Sequence, residues 1–211
     1  QGYFPEGWYT ALTDDDIRHD VELTLAMGFN CARKHQKAED PRYLYWADKL
    51  GLLVWAEIPS GRIFSTELVA ALTSEWITLV KLDRGHPSVM ACVPFNEAWG
   101  VWHQAVRPVQ RAFVDGIVGL TKALDSSRCV VGNDGWEFSS GDLWTLHLYF
   151  ENRDVATRLD ELIADPSKSV TDEYGGHERA GALPAAALAG ARCAAQPLAQ
   201  GDVDGSPFTC S

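Results

Sequence analysis

Glu97 stands in the run Val93-Pro-Phe-Asn-Glu-Ala-Trp-Gly100, directly after an apolar stretch and between Phe95 and Trp99. A carboxyl does acid/base work near neutral pH only when burial or a like charge favours its protonated form. Aromatic flanks would disfavour the ionised form, as a proton donor needs. Asn96 beside it can hydrogen-bond a substrate hydroxyl. A glutamate after a strand equally suits a structural ion pair, and composition alone leaves both roles open. Further polar and aromatic residues crowd just past other apolar runs: Arg33 and His35, Glu57, Asn133 and Trp136, His147 and Tyr149, and Glu173. Glu57 could simply pair with Arg33 or Lys34, and His147 could be a satisfied core histidine.

The elements that must position these residues alternate. Thr13 can cap a helix over 13–27, with Asp14, Asp15 and Asp16 at the positive end of its dipole and Ile17, Val21 and Leu25 at helical spacing. The triple Asp is thus a helix start rather than a metal site, and Gly28 ends the helix. Phe29–Arg33 reads as a strand. Asp40-Pro41 opens a second helix that Gly51 closes. Leu52–Ala56 is near-continuously apolar, as a strand covered on both faces requires. A helix over about 65–82, a strand Val89–Val93 and a helix over about 104–124 follow. Cys129–Val131, Leu143–His147 and Ser169–Thr171 read as further strands, with a helix near 154–164. Such alternation implies parallel βαβ units. Chemistry past the ends of many different strands fits a (β/α)8 barrel better than a doubly wound sheet, whose site sits at one switch point. Six of eight strands are visible. From His177 to Ser211 the chain is rich in Ala, Gly and Pro and shows no convincing strand, so 1–176 is expected to be the barrel region and 177–211 an irregular tail.

The 211 residues suffice for one domain with a sizeable core, and an apolar fraction of 46% is ordinary for a globular protein. A formal charge of −11 argues against nucleic-acid binding, which needs a basic face. It fits a neutral or weakly charged substrate. No apolar run nears the roughly 20 residues that span a bilayer. The first residues, Gln1-Gly-Tyr-Phe-Pro-Glu6, have neither a basic nor an apolar leader region, which points to the cytoplasm. Five well-separated cysteines (Cys31, Cys92, Cys129, Cys193, Cys210) suggest reduced thiols rather than a disulfide framework or zinc ribbon. No Gly-rich phosphate loop follows any strand, and no cofactor or metal is expected.

The segment Asp83-Arg-Gly-His-Pro-Ser-Val-Met-Ala-Cys-Val-Pro-Phe-Asn-Glu-Ala-Trp-Gly100 resembles the acid/base signature of glycoside hydrolase family 2, the family of β-galactosidases, β-glucuronidases and β-mannosidases. Gly28-Phe-Asn-Cys-Ala-Arg-Lys-His35, then Asp40-Pro41, Asp48 and Gly51-Leu-Leu-Val-Trp-Ala-Glu-Ile-Pro59, resemble its other signature. Val131-Gly-Asn-Asp-Gly-Trp-Glu137 is similar to the segment after the fifth strand in the branch that carries Pro-Phe-Asn-Glu. The resemblance covers about residues 1–176.

It implies a retaining β-glycosidase in which one carboxyl protonates the leaving oxygen and later activates water while another attacks the anomeric carbon. Glu97 matches the acid/base. In Val170-Thr-Asp-Glu-Tyr-Gly-Gly176 the nucleophile's match is Glu173. Asp172, inserted between Thr171 and Glu173, is the alternative, because one residue of shift turns a strand side chain to the other face; the stretch could also be a solvated acidic loop. Arg33, His35, Asn96, His147 and Tyr149 match positions around the substrate, with Arg33 supporting the nucleophile. Trp99, Trp102 and Trp136 could stack on sugar rings or merely pack. The family pattern implies a β-glycoside substrate, flanking β-sandwich domains in the full-length protein, and neither nucleic-acid nor membrane partners. The other expectation is an inactive barrel fragment with a sugar-binding or structural role. With a barrel wall missing, these 211 residues alone would turn over aryl β-glycosides weakly or not at all.

Overall fold

The computed structural model describes residue 7, residues 12–145, residue 147, and residues 157, 160 and 164. Over these residues the chain folds as α1 (Asp14–Ala26), β1 (Cys31–Lys34), α2 (Pro41–Leu50), β2 (Leu53–Glu57), α3 (Thr66–Asp83), β3 (Val89–Val93), α4 (Pro108–Leu124) and β4 (Cys129–Val130). The four strands form one parallel sheet in the order β1-β2-β3-β4. Thr157, Asp160 and Ala164 are helical, within the helix expected near 154–164.

Local chemistry sets the element starts. Thr13 and Asp16 form a reciprocal capping box on α1, Asp40 caps α2 with Pro41 in its first turn, and the Ser65 hydroxyl accepts from the Leu68 N–H. Gly51 ends α2 with φ +83°, a conformation that side-chained residues rarely adopt. α4 starts at Pro108 rather than near 104. Proline suits a first helical turn, and the Gln104 N–H just upstream is taken by the Glu137 carboxylate at 2.7 Å.

Strand order never reverses along the sheet, so these four strands contain no switch point. Right-handed crossovers then put α2, α3 and α4 on one face, and α1 packs with α2. Two apolar clusters fill the space between helices and sheet. Ile17, Val21, Tyr43, Leu44 and Ala47 pack with Leu52, Val54 and Val89. Leu72, Trp76, Val80, Phe113, Val114 and Ile117 pack with Ile58, Cys92, Phe95 and Ala98. The Trp76 indole N–H donates to Thr121 Oγ1 at 2.7 Å across α3 and α4. Thr121→Val is expected to destabilise by about 1–3 kcal/mol, because it leaves that buried donor unpaired. A denaturant midpoint unchanged at constant slope would contradict this.

Leu143–His147 was expected to be a strand, but the described residues Leu143, Trp144, Thr145 and His147 lie outside any strand. The free edge of β4 is already occupied. The Val130 N–H donates to the Asp142 side chain, the Asp142 N–H returns to the Val130 carbonyl, both at 2.7 Å, and Val131 bridges Gly141 antiparallel. The expected strand Ser169–Thr171 and the segment 177–211 lie outside the described residues. Among the described residues, no helix is long and apolar enough to cross a membrane. Cys31 and Cys92 are free thiols.

Candidate active site

Because all four strands run parallel, their C-terminal ends share one edge, and the polar residues gather there. Glu57 ends β2 with its side chain 1% exposed. It pairs with Arg33 Nε and accepts the Gln36 N–H at 2.7 Å. The Arg33 guanidinium, about a third exposed, also reaches Asp134 Oδ2 at 2.7 Å and the Asn96 carboxamide oxygen. Thus Arg33 ties together the ends of β1, β2 and β3 and the loop after β4. The ion pair between Arg33 and Glu57 left open by the sequence is present. Burial pushes the Glu57 carboxyl up from its usual range, against the Gln36 N–H and Arg33.

Glu97 lies three residues beyond Pro94 in a turn where both Glu97 (φ 48°) and Ala98 (φ 55°) are left-handed. Asn96 bridges Asp134 in parallel, and the Glu97 N–H donates to the Asp134 carbonyl at 2.8 Å. The Glu97 carboxyl is mostly buried, with Oε1 2.7 Å from His147 Nδ1. The other His147 nitrogen is 3.4 Å from Asp134 Oδ2. Burial pulls the His147 pKa down, but Asp134 and Glu97 outweigh it and the net shift is upward. Asp134 is moved the other way: burial raises it, and His147, Thr145 and Arg33 together bring it below the usual carboxylate range. At Gly135 (φ +79°) an added Cβ would come within 2.6 Å of the His147 ring, so only glycine allows this approach.

The aromatic flanks divide. Phe95 was expected beside the Glu97 carboxyl, but it turns to the helix side and packs edge-on against Phe113 at 5.5 Å. Trp99 meets Trp102 edge-on at 4.4 Å, and Trp102 meets Trp136 at 5.8 Å. The Trp102 indole N–H donates to the Arg62 carbonyl. These three rings form a partly buried aromatic cluster on the loops after β3 and β4. His35 lies 3.6 Å from Glu57 Oε2, and burial followed by Arg33 lowers its pKa. Tyr149, Asp172 and Glu173 lie outside the described residues. Among the described residues no group of three or more His, Cys, Asp or Glu could hold a metal ion.

Sequence reasoning missed Asp134, which touches both Arg33 and His147. Its available signal was a carboxylate four residues past a strand end, the same spacing as Glu97 after β3. Glu137 was also missed. It is buried, it accepts from the Gln104 N–H, and burial lifts its pKa from 4.5 to about 7 against the Gln104 and Ala105 N–H groups and Arg111. In that window the folded state holds a proton that the unfolded state has released, so stability falls as pH rises from about 4.5 to about 7 and levels off above. Glu137→Gln is expected to flatten that fall in urea titrations at pH 5, 6, 7 and 8. An unchanged slope would contradict the assignment.

No family model matches the chain, and no curated protein sequence matches it. Solved structures do. A Parabacteroides merdae β-glucuronidase with glycerol in its active site is 20% identical with a TM-score of 0.60 over 72% of this chain and 20% of its own. Bacteroides uniformis β-glucuronidase 3 is 25% identical, TM-score 0.57, over 66% of this chain and 18% of its own. A β-glycosidase from Bacteroides vulgatus is 24% identical, TM-score 0.53, over 63% of this chain and 17% of its own. The chain therefore shares its α/β fold with part of these enzymes and spans about a fifth of their length.

Proposed function

We propose that this chain is the catalytic barrel region of a glycosidase, hydrolysing O-glycosidic bonds of β-glycosides by retaining double displacement with Glu97 as acid/base and Glu173 as nucleophile. The observation that carries the reading is the Glu97 carboxyl itself, held in a left-handed turn at the C-terminal edge of a parallel sheet against His147. Active residues at that edge, on several strand ends, are the habit of (β/α)8 barrels, and the solved neighbours named as β-glucuronidases and a β-glycosidase support it.

In the first step Glu97 gives its proton to the leaving oxygen as the glycosidic bond breaks, and the Glu173 carboxylate bonds to the anomeric carbon. In the second, Glu97, now a carboxylate, takes a proton from water as the water oxygen displaces Glu173, restoring both groups. This needs the two carboxyls about 5–5.5 Å apart. His147 holds Glu97 in place, and Arg33 with Asp134 supplies a charged floor. Asn96, His35 and Tyr149 would bind sugar hydroxyls, and the cluster of Trp99, Trp102 and Trp136 offers faces for a sugar ring. The whole enzyme would carry β-sandwich domains beside the barrel.

A 2-deoxy-2-fluoro aryl β-glycoside should leave a covalent glycosyl ester on the peptide holding Glu173. A label on Asp172 would move the nucleophile there, and a product of inverted configuration would sink the retaining reading. The second reading, an inactive sugar-binding or structural fragment, is favoured by one observation. Leu53 and Met90, on the strands of the sheet, remain 39% and 38% exposed. Failure of any β-glycoside to label or turn over, with sugar binding retained, would favour it.

A further inference from the structure

We propose that Asn133 is the positioning residue of the Glu97 carboxyl: its buried carboxamide clasps the left-handed turn at Glu97–Ala98 to the loop after β4 and so aims the carboxyl at His147. Two consecutive side-chained residues with φ near +50° are costly and persist only where surrounding structure over-determines them. Three bonds hold this turn from the loop after β4. Two run between backbones, Glu97 N–H to the Asp134 carbonyl and Asp134 N–H to the Phe95 carbonyl, both 2.8 Å. The third is from a side chain: the Ala98 N–H donates to Asn133 Oδ1 at 2.8 Å.

Both partners of that bond are buried, Ala98 fully and Asn133 to 1% exposure. Water is therefore a poor substitute for the carboxamide oxygen. The other end of the same carboxamide donates Nδ2–H to the Glu137 carbonyl at 2.5 Å and, more weakly, to that of Gly135 at 3.4 Å. The site thus needs an acceptor on one side and a donor on the other, which the planar amide supplies. Aspartate would keep the acceptor that the Ala98 N–H needs and so hold the turn, at a cost in stability from facing two carbonyls with a second oxygen, whereas alanine would supply neither. With the Ala98 N–H unpaired, the turn is free to relax toward negative φ, which swings the Glu97 side chain away from its contact with His147.

The catalytic consequence rests on Glu97 being the reacting carboxyl, but the test does not. The His147 imidazole is followed by NMR titration in the unmodified chain, in Asn133→Ala and in Asn133→Asp, each with and without Glu97→Gln. His147 is faced by Glu97 and Asp134, with Arg33 and His35 near the same cluster, and only Glu97 changes within each pair. In the unmodified chain Glu97→Gln should lower the His147 midpoint. In Asn133→Ala the same substitution should leave it unmoved, and in Asn133→Asp the lowering should return. Equal lowering in the Asn133→Ala background, or none in the Asn133→Asp background, would overturn the proposal even if both variants are less stable. Should Asn133→Ala fail to fold, hydrogen exchange in the unmodified chain decides: the Ala98 amide should exchange as slowly as that of Cys92 in β3, and fast exchange would overturn the clasp. None of these readouts needs turnover, so an inactive chain would count against the glycosidase reading without touching this one.

Discussion

Arg33→Ala is expected to destabilise the chain by about 3–5 kcal/mol, the cost of removing one partner from a buried charged pair. Arg33 serves two buried carboxylates, Glu57 at 1% and Asp134 at 3% side-chain exposure, as well as the Asn96 carboxamide. Without it, His147 remains on Asp134 and the Gln36 N–H on Glu57, but among the described residues no other cation sits as close to both. Against a typical total of about 5–15 kcal/mol, the loss is a large fraction. Arg33 is itself about a third exposed, which places the effect toward the lower end of that range. The defect should shrink at pH 5 relative to pH 8, because the stranded carboxyls escape by taking up a proton. Arg33→Lys should recover part of the loss, since an ammonium restores the charge but not the planar fork. Urea melts of the three proteins at both pH values check this. A loss under about 1 kcal/mol at pH 8 would show that the cluster behaves as an exposed ion pair.

What the sequence made legible was mostly local. Thr13 with Asp16, Asp40 with Pro41, and Gly51 each act within one turn of chain, and the helices begin and end where those residues stand. The four strands followed from apolar runs whose backbone pairs with immediate neighbours. Glu97 was legible because its type and its place after an apolar strand are both local. The rest depends on contacts between loops far apart in the chain. No pattern around residue 97 announces a left-handed turn, because its support comes from residues 133 and 134. Asp134 becomes a site residue only once strand order brings the loop after β4 beside the loop after β3. Phe95 shows the limit of reading neighbours in sequence as neighbours in space: one position from Asn96, it faces the opposite side, against Phe113. The stretch at 143–145, which lies outside any strand, has the same origin, since its composition suits a strand but Asp142 has already closed the edge of β4.

Glu97→Ala should lower hydrolysis of aryl β-glycosides by about 10²–10⁴-fold, the usual worth of one positioned acid/base, equivalent to about 3–5 kcal/mol of transition-state stabilisation. The loss in the first step should be deepest for poor leaving groups, which need the proton, and shallow for dinitrophenyl leaving groups, for which the second step, now lacking its base, limits turnover. Small anions that need no base to attack should then recover turnover of the ester on Glu173. The direct measurement is therefore product analysis of the 211-residue chain and its Glu97→Ala variant on 2,4-dinitrophenyl β-glycosides (the galactoside, glucuronide and mannoside), with and without azide. The account predicts slow turnover by the unmodified chain to the β-configured sugar, and a β-glycosyl azide from the variant only when azide is present. Turnover unchanged by Glu97→Ala, or an α-configured azide product, would contradict it.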